Sequence, residues 1–498
     1  MQANSNATTL TSSPAAPERR GGRRRWLLAF AGAWQADWRE RRRDWRVWLV
    51  LGVGLALACC AALSSSLQLR ATLDARGAAG QAEQQRWSQQ GKKYPHAAAH
   101  YGVYVFKPLS ALAALDPGIE HYVGASVWLE AHKQNELVYR PANDEAGVNR
   151  QFRLHPAFVL QVLAPMAMIF LGFGMFAAER ERGTLAALRV NAAPLGALAL
   201  ARGAVLLCLA ATLALPACVA VAALEWTLDS RSPFSDGALR AALFALGYMV
   251  YLGSWAALIA AVSAWAPNLR SSLALLIGLW AFTTLVAPRA AVELAQLAAP
   301  LPTMQRFRAD LDSALGTPDD PQQAEHHKQQ LLREHGVRDA KDLPVNWAGI
   351  SLQRGEDHGD RIFDQHYGQL FDAMRRQSAA AALAGWLSPA VAVAGLSSAL
   401  AGSDTEQHVQ FIHGAEQQRR TIQRVMNTAI AAHREQDGVR HDGDRSLWDR
   451  VPPFRFRFNP LDMGGLLARH LLPLLTLFIA SLLLCAAGLR HLRNGNLR

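Results

Sequence analysis

The sequence predicts an all-α polytopic membrane protein with six transmembrane helices, both termini in the cytoplasm, and two mainly helical insertions on the other side of the membrane. Hydrophobic residues make up 51% of the 498 residues and charged residues only 18%, which is more apolar than a water-soluble chain of this length needs. The apolar residues are also concentrated in uncharged runs of about twenty residues, the length that crosses a bilayer. These two observations exclude a soluble enzyme and a disordered chain.

Six uncharged runs are long enough to span the membrane, because a helix of about twenty residues covers the ~30 Å hydrocarbon core at ~1.5 Å per residue. The runs are residues 47–69, 156–178, 203–224, 241–269, 271–288 and 471–489. A seventh uncharged stretch, residues 377–403, consists mostly of Ala, Gly and Ser around Ser388 and Pro389. Alanine contributes little to membrane insertion. We therefore expect this stretch to be a re-entrant segment or to lie at the membrane surface.

The distribution of charge predicts the orientation. The predicted cytoplasmic pieces are residues 1–46, 179–202, the turn around Arg270, and 490–498. These pieces hold 18 Lys and Arg against 6 Asp and Glu, whereas the remainder holds 33 basic and 34 acidic residues. This asymmetry follows the positive-inside rule, so the net charge of +11 indicates topology and not nucleic acid binding. Residues 70–155 and 289–470 are then the two insertions.

The region before the first span has two parts. Residues 1–18 are rich in Ser, Thr, Asn, Ala and Pro, which predicts a disordered tail. Residues 19–46 combine clusters of arginine with an aromatic residue at every fourth position: Trp26, Phe30, Trp34 and Trp38. This pattern predicts an amphipathic helix that contacts membrane lipid on the cytoplasmic surface, and the alternative is an ordinary packed soluble helix.

The six spans lack the residues that would power transport from within the membrane. Their interiors contain no Asp, Glu, Lys, Arg or His, which ion-coupled transporters, proton pumps and intramembrane metalloproteases require. The chain also has no G-x-x-x-x-G-K-[S/T] phosphate loop, so ATP hydrolysis would need a separate subunit. All five cysteines fall in apolar runs, where they offer no disulfide framework. We expect no catalytic residue and no cofactor.

Three groups of polar residues could be taken for a site: His96 with His100, His326 with His327, and Glu130 with His132 and Glu136. No cysteine accompanies the histidine pairs, and sixteen histidines make such pairs frequent by chance. We therefore expect solvated or helix-capping histidines and no metal site. A helix would place Glu130 and His132 on different faces, so we expect a structural role for that group rather than acid/base chemistry.

The loop after the second run carries an ERERGTL motif formed by Glu179, Arg180, Glu181, Arg182, Gly183, Thr184 and Leu185. This motif, followed by Pro194 and a third span of small residues, resembles the ABC-2 type permeases, the membrane subunits of ATP-binding-cassette exporters. The stretch from Leu109 to Glu136, with DPG and VWLEAHKQNE, and the later GWLSPAVAVAGLSSALAGSD are similar to one branch of that family. That branch has a large periplasmic insert of unknown function and is often grouped with permeases linked to multicopper-enzyme maturation. The resemblance covers the chain from Trp26.

The resemblance implies a non-catalytic permease subunit of the bacterial inner membrane that pairs with a second copy or a homologous permease. It implies that a cytoplasmic ABC ATPase subunit docks on the ERERGTL loop, for which an ordinary charged stop at the membrane boundary is the alternative. It also implies re-entrant helices before the last span, with Trp386, Ser388 and Pro389 in that segment. The alternative function is a membrane-anchored periplasmic scaffold or mechanotransmission subunit, which an ATPase drives without moving a substrate through the bilayer.

Overall fold

A computed structural model describes residues 18–144, 154–228, 232–316, 321–434 and 440–494. Within these ranges the protein is mainly helical, and its sheet is one pair of four-residue strands. Six helices are long and apolar enough to cross a membrane. The predicted all-α fold with six candidate spans is thus confirmed, whereas the side on which the termini and insertions lie stays a prediction. The predicted disordered tail falls almost wholly outside the described residues.

We number the elements of the described residues in chain order. The helices before the second insertion are α1 (Glu18–Arg43), α2 (Trp45–Ser88), α3 (Pro95–Tyr101), α4 (Pro156–Glu181), α5 (Thr184–Val190), α6 (Leu195–Thr212), α7 (Leu215–Leu228), α8 (Gly237–Trp265) and α9 (Leu269–Ala298). The later helices are α10 (Met304–Leu315), α11 (Pro321–Glu334), α12 (Trp347–Ala382), α13 (Pro389–Ala401), α14 (Thr405–Ala431), α15 (Arg445–Trp448) and α16 (Met463–Asn494). The antiparallel strands β1 (Val103–Phe106) and β2 (Ser126–Leu129) pair Val103 with Leu129. The candidate spans are α2, α4, α6, α8, α9 and α16.

The third apolar run, residues 203–224, is divided between α6 and α7. Pro216 lies in the first turn of α7 and has no N–H to donate to the carbonyl of Thr212, so the helix is interrupted at residues 213–214. The candidate span α6 begins at Leu195, eight residues before the uncharged run. The run was bounded by Arg202, whereas the helix continues through this residue. Nη2 of Arg202 donates to Oε1 of Glu179 at 2.7 Å. A charged residue that is paired within the protein does not end a span.

Trp26, Phe30, Trp34 and Trp38 form an aromatic ridge along α1, and part of this ridge contacts other helices of the protein. Its rings stack in sequence, with centroids 5.9 to 6.3 Å apart. Trp34 and Trp38 are half-buried against Val205 and Leu209 of α6. Leu27 is exposed on the same helix. The ridge therefore anchors α1 to the bundle, and the predicted contact with lipid stays a prediction for the remaining exposed side chains.

The core of the helical bundle surrounds α8. Tyr251, Trp255 and Ile259 of this helix are completely buried, and side chains of α4, α6, α13 and α16 pack around them. Helix α13 approaches α8 closely at Gly247, where an added Cβ would lie 2.4 Å from Cδ2 of Leu396. Glycine at this position lets two helices pack without a side chain between them.

The two insertions fold together into one unit, which we call the insert domain and which consists of the end of α2, α3, β1, β2, α10–α12, α14 and α15. Trp87, at the end of α2, donates from Nε1 to the carbonyl of Trp448 in α15 at 3.0 Å. Both indole rings are buried with Leu129 of β2 and Phe411 of α14. Helix α2 therefore runs without interruption for 44 residues, about 66 Å, from the bundle into the core of the insert domain.

We predict that Gly247→Val lowers the free energy of unfolding, because the new side chain would collide with buried Leu396 and push α13 from α8. Overpacking of this kind costs about 1–3 kcal/mol. Gly278→Val in α9 is the matched control, since no atom lies within 4 Å of a Cβ placed there. Unfolding midpoints of both variants in detergent test this, and equal midpoints would show that α13 does not pack on α8.

Candidate functional site

The ERERGTL residues end α4 and begin α5, and Gly183 makes the turn between them. Gly183 has a φ of 75°, in the left-handed region that favours glycine. Glu179 and Arg180 are half-buried and Leu185 is buried. The exposed residues of the motif are Glu181, Arg182, Gly183 and Thr184. The motif therefore has an inner part that is at least half-buried and an exposed part, in which Glu181 and Thr184 still make hydrogen bonds.

The inner part fixes the loop to α6 and α8. Oε1 of Glu179 accepts the 2.7 Å hydrogen bond from Arg202, and the hydroxyl of Thr184 donates to the same carboxylate. Nη2 of Arg180 donates to the carbonyl of Ala264 at 2.7 Å, near the end of α8. A cation is favoured there by the unpaired carbonyls of a helix C-terminus. Glu179 and Arg180 thus have structural partners of their own.

Three further contacts connect the loop to other helices. Oε2 of Glu181 accepts from the backbone N–H of Leu269 at 3.1 Å, at the start of α9, where a carboxylate is favoured by the helix dipole. Nε of Arg189 in α5 donates to the carbonyl of Leu492 in α16 at 2.5 Å. Nη2 of Arg25 in α1 donates to the carbonyl of Asn191 at 3.0 Å. Displacing this loop would therefore act on α1, α9 and α16 as well as on α6 and α8.

Helix α5, which begins within the motif and continues beyond it, presents a small exposed surface. Thr184, Ala187 and Val190 are exposed and recur every third residue, so they share one face of the helix. Val190 is 78% exposed, which is unusual for a β-branched apolar side chain. Arg182 is exposed beside this face. An apolar side chain next to an exposed cation is suited to contact with another protein.

The predicted re-entrant stretch, residues 377–403, is a helical hairpin. Nε2 of Gln377 in α12 donates to the carbonyl of Ala299, just after α9, at 3.0 Å. Helix α12 then continues into a 3₁₀ turn, Leu383–Trp386, and the chain reverses before α13. Large apolar side chains are exposed at this reversal: Leu383, Trp386 and Leu387.

Ser388 and Pro389 begin α13 and are buried. The Ser388 hydroxyl donates to the carbonyl of Thr283 in α9 at 2.6 Å, and its oxygen accepts from the N–H of Val391 at 3.2 Å as the helix cap. Pro389 occupies the first helical position, where the absent N–H costs no hydrogen bond. At the break between the two helices, the Ser388 hydroxyl and the N–H of Val391 are therefore bound within the protein.

The other end of α13 is also satisfied by side chains. Nη1 of Arg240 donates to the carbonyl of Ala399 at 3.2 Å, and the hydroxyl of Ser110 donates to the carbonyl of Ala401 at 2.7 Å. The carbonyl of Ser403 accepts from the N–H of Ile119 in the first insertion at 2.9 Å. With 13 residues, α13 is about 20 Å long, too short for a ~30 Å hydrocarbon core. Re-entry into a membrane stays a prediction.

Sequence analysis missed Arg240. It lies one residue before the fourth apolar run and is completely buried, with Nε bound to Oδ1 of Asp236 at 2.7 Å. The other oxygen of Asp236 accepts from the N–H of Leu461 at 2.9 Å, just before α16. A charge at the end of an apolar run is normally taken as its solvent boundary, and nothing in the local sequence shows that this one faces inward.

Glu130 and Glu136 each accept a hydrogen bond from a neighbouring side chain, and no helix carries them; a structural role for them stays a prediction. Oε1 of Glu130 accepts from Asn135 Nδ2 at 3.0 Å, and Oε1 of Glu136 accepts from Arg308 Nε at 2.8 Å. His132 remains near Glu130 but also belongs to a second group. It lies beside His96 and His100, an association across 36 residues that the sequence pairs did not predict.

Comparison with known families agrees with this architecture. The model of the ABC-2 family transporter proteins matches residues 34–333, and that of a domain of unknown function, DUF3526, matches residues 303–457. Because the first match covers more than half of the chain, the chain belongs to the ABC-2 family. It is a multi-pass membrane protein and the permease component of an ABC transporter. Searches of curated proteins and of solved structures gave no match.

We predict that Ser388→Ala destabilises the protein by about 1–3 kcal/mol, because it removes both the cap of α13 and the bond to Thr283. Ser398→Ala is the control, since the Ser398 hydroxyl donates only to carbonyls of its own helix, at 3.0 and 3.2 Å. Chemical unfolding in detergent compares the two. A Ser388→Ala variant as stable as Ser398→Ala would refute the role given to this cap.

Proposed function

We propose that this chain is the membrane-spanning permease subunit of an exporter in the bacterial inner membrane, energised by a separate cytoplasmic ABC ATPase subunit. The observation that carries the proposal is the ABC-2 family match together with the exposed face of α5. Because the chain has no phosphate loop, the energy of ATP must arrive through a protein contact. The exposed face of α5 and Arg182 form the ATPase contact in this proposal.

The contacts of the loop support a route for the coupling. A displacement of α5 by the ATPase would be transmitted to α6 through the Arg202–Glu179 contact, and to the end of α8 through Arg180. Helix α8 packs at Gly247 against α13, so a displacement at one end of α8 can move the hairpin near the other. In this proposal the hairpin changes position when the ATPase closes, and substrate passes outward.

A second permease copy, or a homologous permease, completes the transporter in this proposal. Helix α7 presents three large apolar side chains that are 59%, 68% and 88% exposed: Leu215, Val219 and Trp226. Apolar side chains this exposed on a helix that directly follows a candidate span need either lipid or another helix beside them. The second permease would cover part of this surface and membrane lipid the rest.

A mechanical role is the second candidate, and the length of α2 favours it. This helix passes from the bundle into the core of the insert domain, where Trp87 is buried at its end. A rigid helix anchored at both ends can carry motion from the bundle to the insert domain without a conduit. The chain would then be a membrane-anchored scaffold or mechanotransmission subunit, and ATP hydrolysis would proceed without substrate crossing the bilayer.

We predict that the double substitution Arg182→Glu and Val190→Asp reduces the co-purified ATPase by about tenfold or more, because it removes a cation and an apolar anchor from one small interface. Arg424→Glu, at an exposed position of α14, is the matched control. The measurement is the amount of ATPase retained during purification from membranes, with ATP hydrolysis of the reconstituted complex as a second readout. Unchanged retention and coupled hydrolysis in the double variant would refute the proposed contact.

A further inference from the structure

The insert domain carries three histidines on one small surface. The ligand nitrogens of His96, His100 and His132 all lie within 4.8 Å of one another. Their ring centroids are 4.7, 5.1 and 5.0 Å apart, so the rings form a nearly equilateral triangle. We propose that these three histidines bind a divalent transition metal ion of the Zn²⁺ type. The proposal is independent of the transport function.

The first two ligands already have the spacing of a metal site. His96 and His100 share one face of α3, and their Nε2 atoms are 3.3 Å apart. In a tetrahedral zinc site with Zn–N bonds of about 2.0–2.1 Å, neighbouring nitrogens are about 3.3–3.4 Å apart. One ion can therefore be bound by both imidazoles without a change in α3.

The third ligand is held in place by its backbone. His132 lies in the turn between Glu130 and Lys133 and has a φ of 63°, a left-handed conformation that is uncommon for residues other than glycine. The neighbouring N–H of Ala131 donates to the carbonyl of Ala99 in α3 at 3.3 Å. The turn is thus bonded to the helix that carries the other two ligands. Unfavourable backbone conformations of this kind are concentrated at functional sites.

A buried carboxylate orients the third ring. Nδ1 of His132 donates to Oε1 of Glu356 in α12, and this leaves Nε2 for an ion. The other oxygen of Glu356 accepts from the side-chain amide of Gln423 in α14. Glu356 is only 4% exposed. A histidine that binds a metal through one nitrogen and a carboxylate through the other is the usual arrangement in protein metal sites.

The histidine cluster is accessible to an ion from solvent. His100 and His132 are exposed, and an ion can reach them from solvent.

The site would join the two insertions. The three ligands belong to the first insertion, whereas Glu356 and Gln423 belong to the second. Occupancy by a metal ion would hold α3 and the turn after β2 against α12 and α14. The sequence analysis weighed the His96 and His100 pair and expected no metal site, whereas the third ring and its carboxylate complete a ligand set.

The test is a Zn²⁺ titration of the full-length protein, purified in detergent without a histidine tag and followed by calorimetry. We expect one Zn²⁺ per chain, no binding of Mg²⁺, and loss of Zn²⁺ binding in His100→Ala and in His132→Asn. Asparagine tolerates the left-handed backbone at position 132. Glu356→Gln should weaken Zn²⁺ binding by about 10- to 100-fold. The control is the double variant His326→Ala and His327→Ala, which alters two histidines of α11 and should bind Zn²⁺ as the unaltered protein does.

A second measurement needs no variant. Zn²⁺ should protect His96, His100 and His132, but not His326, from modification by diethyl pyrocarbonate, as read by mass spectrometry of peptides. Absence of Zn²⁺ binding by the unaltered protein, or equal modification of the three histidines with and without Zn²⁺, would overturn the proposal. Wild-type stoichiometry and affinity in both His100→Ala and His132→Asn would overturn it as well.

Discussion

Backbone polar groups that lie at membrane depth must be bound by protein or by water, and the proposed re-entry of the hairpin of α12 and α13 would impose this constraint on it. The chain breaks its helix at Leu387 and Ser388, next to side chains that suit lipid. It meets the constraint by binding both ends of α13: Ser388 to the carbonyl of Thr283, and the last carbonyls to Arg240 and Ser110. The packing of α13 on Gly247 and the burial of Arg240 both follow from accommodating this short helix.

Helix α8 connects the two regions that the transport proposal needs. Its last residues bind Arg180 of the ERERGTL loop, and its first turn carries Arg240, which binds the end of α13. Between these ends, Tyr251, Trp255 and Ile259 are completely buried, so α8 cannot bend without disturbing the whole core. In the proposed mechanism, this rigid helix would carry motion from the proposed ATPase contact at one end to the hairpin at the other.

The number of spans could be predicted from the sequence, because apolar length is a property of each segment alone. The start of α6 could not be, because Arg202 is paired with a residue of another helix. The same limitation applies to Arg240 and to the ridge of α1, whose partners lie in other elements. His132 illustrates it for the histidine cluster, because it lies 36 residues from His96 in the sequence and only folding brings it to His96 and His100. A pattern within one segment of the sequence does not show which residues of distant segments will contact each other.

The side of the membrane on which each end of the hairpin lies tests the proposed topology most directly. Single cysteines would replace Arg376 and Gln417, which are exposed before and after it, and Thr184 in the loop, in a chain from which the five native cysteines have been removed. A membrane-impermeant maleimide applied to intact cells should label positions 376 and 417 and should reach position 184 only after the membrane is permeabilised. Labelling of 376 and 417 from opposite sides would show that α13 crosses the membrane, and would contradict both the re-entrant hairpin and the six-span topology.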